Sequence, residues 1–280
     1  MPPPILYLGP EGTHSHDAAR RRFGARARLL PCLSHYEISA RLCTARGRIR
    51  PLAVVPVENS SEGPVTQTLD QLAHHPRVTI LDSFSLPVQQ HLLARPGTTL
   101  ARIRRVCSHP QALGQCRATL ARLRPKAELI PESSTSAAAR RAAQEGGTAA
   151  IASETAARLH GLAVLRPDVQ DGGENVTRFF TLSADAVARP RRAKDAELRS
   201  LIHLVIGNRP GALLHVLAPF DASGVNLTFI QSRPLPGRPW EYGFFIEAVT
   251  DWKSAPARAA WKMVCALSES CRKIGTYPVG

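Results

Sequence analysis

Four short segments of this sequence gather side chains suited to binding a small anionic organic molecule. Residues 9–16 hold Gly9, Gly12, Thr13, His14, Ser15 and His16. Residues 58–63 hold Glu58, Asn59, Ser60, Ser61 and Gly63, and residues 108–111 hold Ser108, His109 and Gln111. Residues 174–179 hold Glu174, Asn175, Thr177, Arg178 and Phe179. Hydroxyls and amides donate hydrogen bonds to carboxylates and carbonyls. Arg178 carries a planar fork that grips a carboxylate through two bonds. Glu58 and Glu174 are the two acids among them. Each residue also has a plainer role open to it. The glycines serve as turn residues, Ser60 and Ser61 as helix caps, and His109 before a proline as a surface turn. Asn175 and Thr177 serve equally in local turn bonds. No GxSxG elbow, Walker-type loop or GxGxxG fingerprint occurs, which disfavours serine hydrolase, nucleotide hydrolase and dinucleotide chemistry.

The elements that must position these segments alternate. Strands are expected at residues 5–9, 52–57, 78–86, 106–108, 129–131, 149–152 and 162–165. Helices are expected after residue 13, capped by Thr13 or Ser15 and carrying Ala18, Ala19 and Phe23, and again through Leu69 and Leu72. Two more are expected at 110–123 and 133–145. This order predicts a mainly parallel α/β domain over residues 1–184. All four segments read as loops that follow strands, where open α/β sheets bind ligands. Three lead into helices, whose first amides favour anions. Residues 185–198 read as a polar, basic linker. Beyond it, residues 199–280 follow the ferredoxin-like order βαββαβ, with strands at 201–206, 225–231, 242–249 and 274–277 and helices at 210–220 and 256–267.

The chain has 280 residues, 44% hydrophobic and 21% charged, which is ordinary for a globular protein with a sizeable core. It has no apolar run long enough to span a membrane, and its first residues lack the charged and apolar regions of a secretory signal. A cytoplasmic protein without a membrane partner is therefore expected. The six cysteines form no CxxC pair, so free thiols and no metal site are expected. The net charge is +14, from 36 basic and 22 acidic residues. Aromatics are only 5% and arginines are scattered, so a nucleic-acid partner is not expected. The dense basic runs at 20–22 and 189–194 read as solvated surface.

Five segments in order, GPEGTHSHDAA (9–19), VPVENSSEGPVTQTLD (55–70), CSHPQALGQC (107–116), AAIAS (149–153) and NVTRFF (175–180), resemble the motif series of the prephenate dehydratase family. GNRPGALLHVL (207–217) and NLTFIQSRP (226–234) resemble its ACT regulatory domain. The resemblance implies a two-lobed catalytic domain of the periplasmic-binding-protein type II kind, with its active site in the cleft, and a ferredoxin-like ACT domain. It implies conversion of prephenate to phenylpyruvate, water and carbon dioxide in L-phenylalanine biosynthesis. No cofactor, self-association to a dimer or tetramer, and feedback inhibition by L-phenylalanine go with it. A fused chorismate mutase is not expected, because the chain begins at the dehydratase strand. Arogenate dehydratase, acting on the amino counterpart of prephenate, shares the scaffold. A non-catalytic amino-acid sensor is the reading from another class, disfavoured by the presence of Thr177 and Arg178.

The same resemblance assigns roles. Thr177 takes the catalytic place, donating a hydrogen bond to the leaving hydroxyl, since threonine is too weak an acid to be deprotonated. Glu58 is an orienter or else the proton source. Arg178 holds a substrate carboxylate or orders its loop, and Phe179 walls the ring or packs in the core. Thr13, Ser15, Asn59, Ser60, Ser108 and Gln111 are candidate ligands for carboxylate and carbonyl groups. In the ACT part, Gly211, Ala212 and Leu213 at the first helix are expected to share a phenylalanine pocket, across a subunit boundary, with Asn226, Leu227 and Thr228 on the next strand, with Gln231 and Ser232 in the following motif. The family commonly has Glu where this chain has Gln231, which implies weakened inhibition. His14 stands where the family commonly has Phe.

Overall fold

A computed structural model describes residues 2–124, 126–184 and 196–280. Most of the expected linker, with the basic run at 189–194, lies outside the described residues. The chain begins β1 (Ile5–Leu8), α1 (His14–Phe23), β2 (Leu29–Cys32), α2 (His35–Thr44), β3 (Leu52–Asn59), β4 (Gly63–Pro64), α3 (Thr66–His74), β5 (Thr79–Pro87) and β6 (His91–Ala94). It continues β7 (Arg105–Ser108), α4 (Pro110–Gln115), α5 (Arg117–Leu123), β8 (Glu128–Pro131), α6 (Thr135–Gln144), β9 (Thr148–Ala152), α7 (Glu154–His160), β10 (Ala163–Arg166) and β11 (Val176–Ser183). The last part is β12 (Leu198–Val205), α8 (Ala212–Ala222), β13 (Leu227–Leu235), β14 (Arg238–Ala248), α9 (Ala255–Leu267) and β15 (Ser270–Pro278). Thr13, Ser134, Ser153 and Ser254 cap α1, α6, α7 and α9, each accepting a backbone N–H of the first turn.

The chain divides into two compact units. One comprises Met1–Ile38, Asn59–Ser61 and Leu86–Thr177; the other comprises Ser39–Glu58, Glu62–Ser85 and Arg178–Gly280. In the first, β1 pairs with β2 in parallel. A five-stranded sheet in the order β10-β6-β9-β7-β8 forms the rest of its framework. This sheet is buried on both faces. Val106, Ala149 and Ile151 face one core with Leu92, Ile103 and Leu120, while Cys107, Ala150 and Ala152 face another with Ala138, Ala142 and Ala156. The sheet is mixed and not mainly parallel, because β6 runs antiparallel to both β9 and β10.

The helix expected over 110–123 is broken at Cys116, which has φ −115° and ψ 9°. The cause lies at Asp171. Its N–H takes the Gln115 carbonyl at 2.6 Å, and its carboxylate accepts the amides of Ala118 and Thr119 at 2.5 and 2.7 Å. A new helix start is thereby capped from a distant segment, which sequence periodicity does not record.

In the second unit, β11 lies between β3 and β5. The C-terminal strands form an antiparallel sheet ordered β13-β14-β12-β15, the ferredoxin-like arrangement expected from βαββαβ. Helices α8 and α9 cover one face through Ile202, Leu204, Val216, Phe220, Ile246 and Val264. The other face meets β5 and β11. There Thr79 donates to the Ile274 carbonyl at 2.7 Å, and the rings of Phe180 and Tyr277 lie 5.3 Å apart. A Cβ on Gly275 would come within 2.8 Å of the Ile80 carbonyl oxygen, so this approach needs glycine.

One expectation about cysteines is corrected. Cys265 near the end of α9 and Cys271 at the start of β15 form a disulfide, because the tight turn between them sets their Cα atoms 5.5 Å apart. Cys32, Cys43, Cys107 and Cys116 take no part in a disulfide. Among the described residues no helix is long and apolar enough to cross a membrane, and no cluster of three His, Cys, Asp or Glu side chains is placed to hold a metal ion.

Burial holds His14, His16, His35, His75, His160 and His203 below the ordinary histidine range. For His203, burial with the charges of Arg272 and His74 brings it to about 4. These groups take up protons more readily when the chain is unfolded. Stability is therefore full above the unfolded histidine value of about 6.5 and falls as pH drops through it towards the folded values. The urea midpoint should decrease steadily from pH 7.5 to 5; a midpoint flat over that range would contradict the burial of these rings.

Candidate functional site

Three successive residue pairs meet where β3 and β11 run side by side. The Ser60 amide donates to the Val176 carbonyl at 2.9 Å, Asn59 meets Thr177, and Glu58 meets Arg178. The segment around Thr177 was expected as a loop, yet residues from Val176 onward are strand. The reason is this pairing: the polar residues of the segment are satisfied by a neighbouring strand and do not need turn bonds of their own. Alternation along a strand then sends Asn59 and Thr177 to one side and Glu58 and Arg178 to the other.

On the first side the hydrogen bonds run in a fixed direction. Asn59 Oδ1 accepts the Ser61 amide at 3.0 Å, which identifies Nδ2 as the outward end of the side chain. Asn59 Nδ2 donates to Thr177 Oγ1 at 2.8 Å and to Asn175 Oδ1 at 2.6 Å. Asn175 Nδ2 in turn donates to Gln115 Oε1 at 3.1 Å. Thr177 is buried, and its hydroxyl oxygen is already occupied by the donor of Asn59. Its proton therefore points to an acceptor other than Asn59. A hydroxyl held this way can donate one directed bond to a bound molecule.

On the second side Arg178 is enclosed by acids. Its Nη2 lies 2.9 Å from Glu58 Oε2, and its Nη1 donates to both oxygens of Glu247 at 2.8 and 2.9 Å. Glu247, on β14, is completely buried. It also accepts from Arg199 Nη1 at 3.1 Å, Thr228 Oγ1 at 2.5 Å and Tyr277 Oη at 2.6 Å. Burial would raise the Glu247 carboxyl, but the Arg178 charge and the bonds from Thr228 and Tyr277 outweigh it and hold the group below the ordinary carboxylate range. Burial beside Glu247 pushes the Tyr277 phenol well up. Breaking one partner of such a buried pair typically costs about 3–5 kcal/mol.

The remaining expected residues separate into groups. Thr13 is spent on the chain itself, donating to the carbonyls of Leu8 and Pro10 at 3.1 and 2.9 Å while capping α1. Ser15 is buried in the first turn of α1. Ser108 is fully buried and donates to the Ile151 carbonyl at 2.6 Å, tying β7 to β9. Ser60 Oγ accepts the Val176 amide at 3.0 Å. Gln111 is exposed near the start of α4. Phe179 is in the core, stacked 5.7 Å from Phe84, so of its two expected roles the packing one is observed. Gly211 is left-handed at φ 78° and precedes α8. Ala212, Leu213 and Leu227 pack into the helix-side core of the C-terminal sheet. Asn226, Thr228 and Ser232 are exposed, and Gln231 Nε2 donates to the Ser232 carbonyl at 2.9 Å.

Gln115, Arg199 and Glu247 were not foreseen. Gln115 had one usable signal, its place in the CSHPQALGQC segment. Glu247 had none, since 69 residues separate it from Arg178. His14 Nε2 is buried without a hydrogen-bond partner among the described residues.

Residues 5–187 match the family model described as prephenate dehydratase. The bifunctional chorismate mutase/prephenate dehydratase of Stutzerimonas stutzeri is 35% identical over 274 residues, covering 98% of this chain and 73% of that protein. A prephenate dehydratase structure from Arthrobacter aurescens in complex with L-Phe superposes with a TM-score of 0.85 at 32% identity, covering 98% of this chain and 89% of that one. A structure described as GqqA, a quorum quenching acylase, also superposes with a TM-score of 0.85, at 28% identity, covering 99% of this chain and 98% of that one.

The amide relay gives a direct test of the site's construction. Asn59→Leu removes the donor that Thr177 Oγ1 and Asn175 Oδ1 share. Leaving buried acceptors unpaired should lower unfolding free energy by about 1–3 kcal/mol in urea titrations. A variant as stable as the wild type would show that these bonds are not made in solution.

Proposed function

The chain belongs to the prephenate dehydratase family, and we propose how its residues divide the work of converting prephenate to phenylpyruvate, water and carbon dioxide. In this reaction the ring carboxylate leaves as carbon dioxide. The electron pair of the broken carbon–carbon bond completes the aromatic ring, and the ring carbon–oxygen bond breaks. The departing hydroxide needs a proton or a strong hydrogen bond as it forms. Thr177 supplies that bond, and the released hydroxide takes its proton from solvent to become water. The reading rests on one observation, the 2.8 Å bond by which Asn59 occupies the Thr177 oxygen and leaves its proton for another acceptor. A donor fixed in this way stabilises charge where it develops.

Arg178 is a positioning residue in this scheme and not the substrate clamp. Two carboxylates already face its guanidinium, which disfavours a third anion there. Glu58 is accordingly an orienter of Arg178 and not the proton source. Ser15 and Gln111 remain the proposed contacts for the substrate carboxylates and carbonyl, whereas the Ser60 hydroxyl accepts the Val176 amide and donates to the Glu174 carbonyl. Removing the ring carboxylate from water would favour its loss as a neutral gas. An acylase reading would need a base beside the hydroxyl. The partner observed at Thr177 is an amide, which cannot take its proton.

We further propose that the enzyme acts in the cytoplasm as a dimer or tetramer and that L-phenylalanine inhibits it through an ACT domain over residues 199–280. The left-handed Gly211 at the start of α8 supports a carboxylate site there. Gln231 bonds its own strand, so it offers no carboxylate to a ligand ammonium.

Two measurements test these readings. Thr177→Ala should lower kcat by about 10²–10³-fold with a small change in KM, as expected when a bond made in the transition state is lost. Phenylpyruvate formation is followed, with arogenate assayed beside prephenate; a variant with wild-type kcat would remove Thr177 from the chemistry. In phenylalanine titrations, Gln231→Glu should tighten inhibition by up to about fivefold, the range of one exposed ion pair. Wild-type enzyme unaffected by millimolar phenylalanine would refute the regulatory role.

A further inference from the structure

Residue Glu247 lies on the face of the C-terminal sheet that α8 and α9 leave uncovered. It brings together parts of the chain that are far apart in sequence. Arg178 comes from β11, Arg199 from β12, Thr228 from β13 and Tyr277 from β15. The register between β13 and β14 shifts between Leu227 and Phe229, so Thr228 is the extra residue of a bulge. Bulges re-aim side chains, and this one turns an otherwise exposed hydroxyl onto the carboxylate. Phe229 opposes Glu247 in the ladder, and its ring lies 5.7 Å from the Arg178 guanidinium carbon, as does that of Phe180. Arg178 is thus fixed by two carboxylates and two aromatic rings.

We propose that Glu247 is a positioning residue for the dehydration, holding Arg178 and through the peptide bond between residues 177 and 178 setting the place of the Thr177 hydroxyl. This rests on the assignment of Thr177 as the donor. The physical argument is geometric. The direction of a threonine hydroxyl on a strand follows its backbone, and the next residue's side chain is the one most tightly held. Four hydrogen-bonding side chains converge on one buried carboxylate, and a directed donor is sensitive to small displacements of the groups that hold it.

The experiment is a double-mutant cycle on steady-state rates in the full-length enzyme. Glu247→Gln keeps the shape and removes the charge; Arg178→Gln removes its partner. Each single variant should lose about tenfold or more in kcat while KM stays within about threefold, because positioning of a transition-state contact is lost and ground-state binding is not. The double variant should be no slower than the slower single one, as required of residues acting through one interaction. Multiplying effects would overturn the proposal, as would wild-type kcat in Glu247→Gln. If Glu247→Gln loses cooperative thermal unfolding, Tyr277→Phe and Thr228→Val replace it, each deleting one hydroxyl donor. A fall of about two- to fivefold in kcat at constant KM supports the proposal, and wild-type kcat in both overturns it. Wild-type turnover separates the two levels. An inactive wild type refutes the function and this role with it, whereas an active wild type matched by the variants refutes this role alone.

Discussion

The alternation of side chains across the β3 and β11 pair is the constraint on which the site depends. Asn59 and Thr177 meet on one side, and Glu58 and Arg178 meet on the other. Each residue of the uncharged pair is joined by a peptide bond to a residue of the charged pair. A neutral hydrogen-bonding pair and a charged pair have opposite demands. The first must leave one proton available; the second must leave no charge uncompensated. A pleated strand meets both demands at once, because it keeps adjacent side chains apart.

Much of this was legible in the sequence, and the limits have physical causes. The βαββαβ order at the C-terminus was readable because each apolar period there is long and separated by turn residues. The strand at 52–57 and the cap at Thr13 were likewise readable from local pattern. By contrast β2, β6 and the short helix α7 are brief and lack a strong period of their own, so local pattern does not mark them. Thr177 stands out by residue type, and the resemblance of NVTRFF gives it its role, yet local pattern assigns it to a loop. Polar residues on a strand look like turn residues until their partners across the sheet are known. Asp171 and Glu247 show the same limit in sharper form. The break at Cys116 and the fixation of Arg178 are caused by residues far off in sequence, and no local pattern encodes them.

The C-terminal sheet shows how one layer can serve two kinds of environment. Its helix-covered face is an ordinary apolar core. Its other face carries Glu247, Arg199, Tyr277 and Phe229, a charged and aromatic layer against β11. Burial of the carboxylate is tolerated because two arginines, a threonine and a tyrosine meet it within hydrogen-bond distance. The close approach at Gly275 lets that layer sit near enough for the bonds to form.

The paired strands carry a further consequence for how such a chain can vary over time. Substitution at any one of Glu58, Asn59, Thr177 or Arg178 changes one contact. Insertion or deletion of a single residue in β3 or β11 would exchange the sides for everything beyond it, setting a charged side chain where the neutral donor belongs. The bulge at Thr228 lies on the C-terminal sheet, where an extra residue adds a contact to the charged cluster without inverting the alternation of β3 and β11. Lineages of this fold should therefore accommodate length changes in the segments between elements, and keep the spacing within these two strands unaltered.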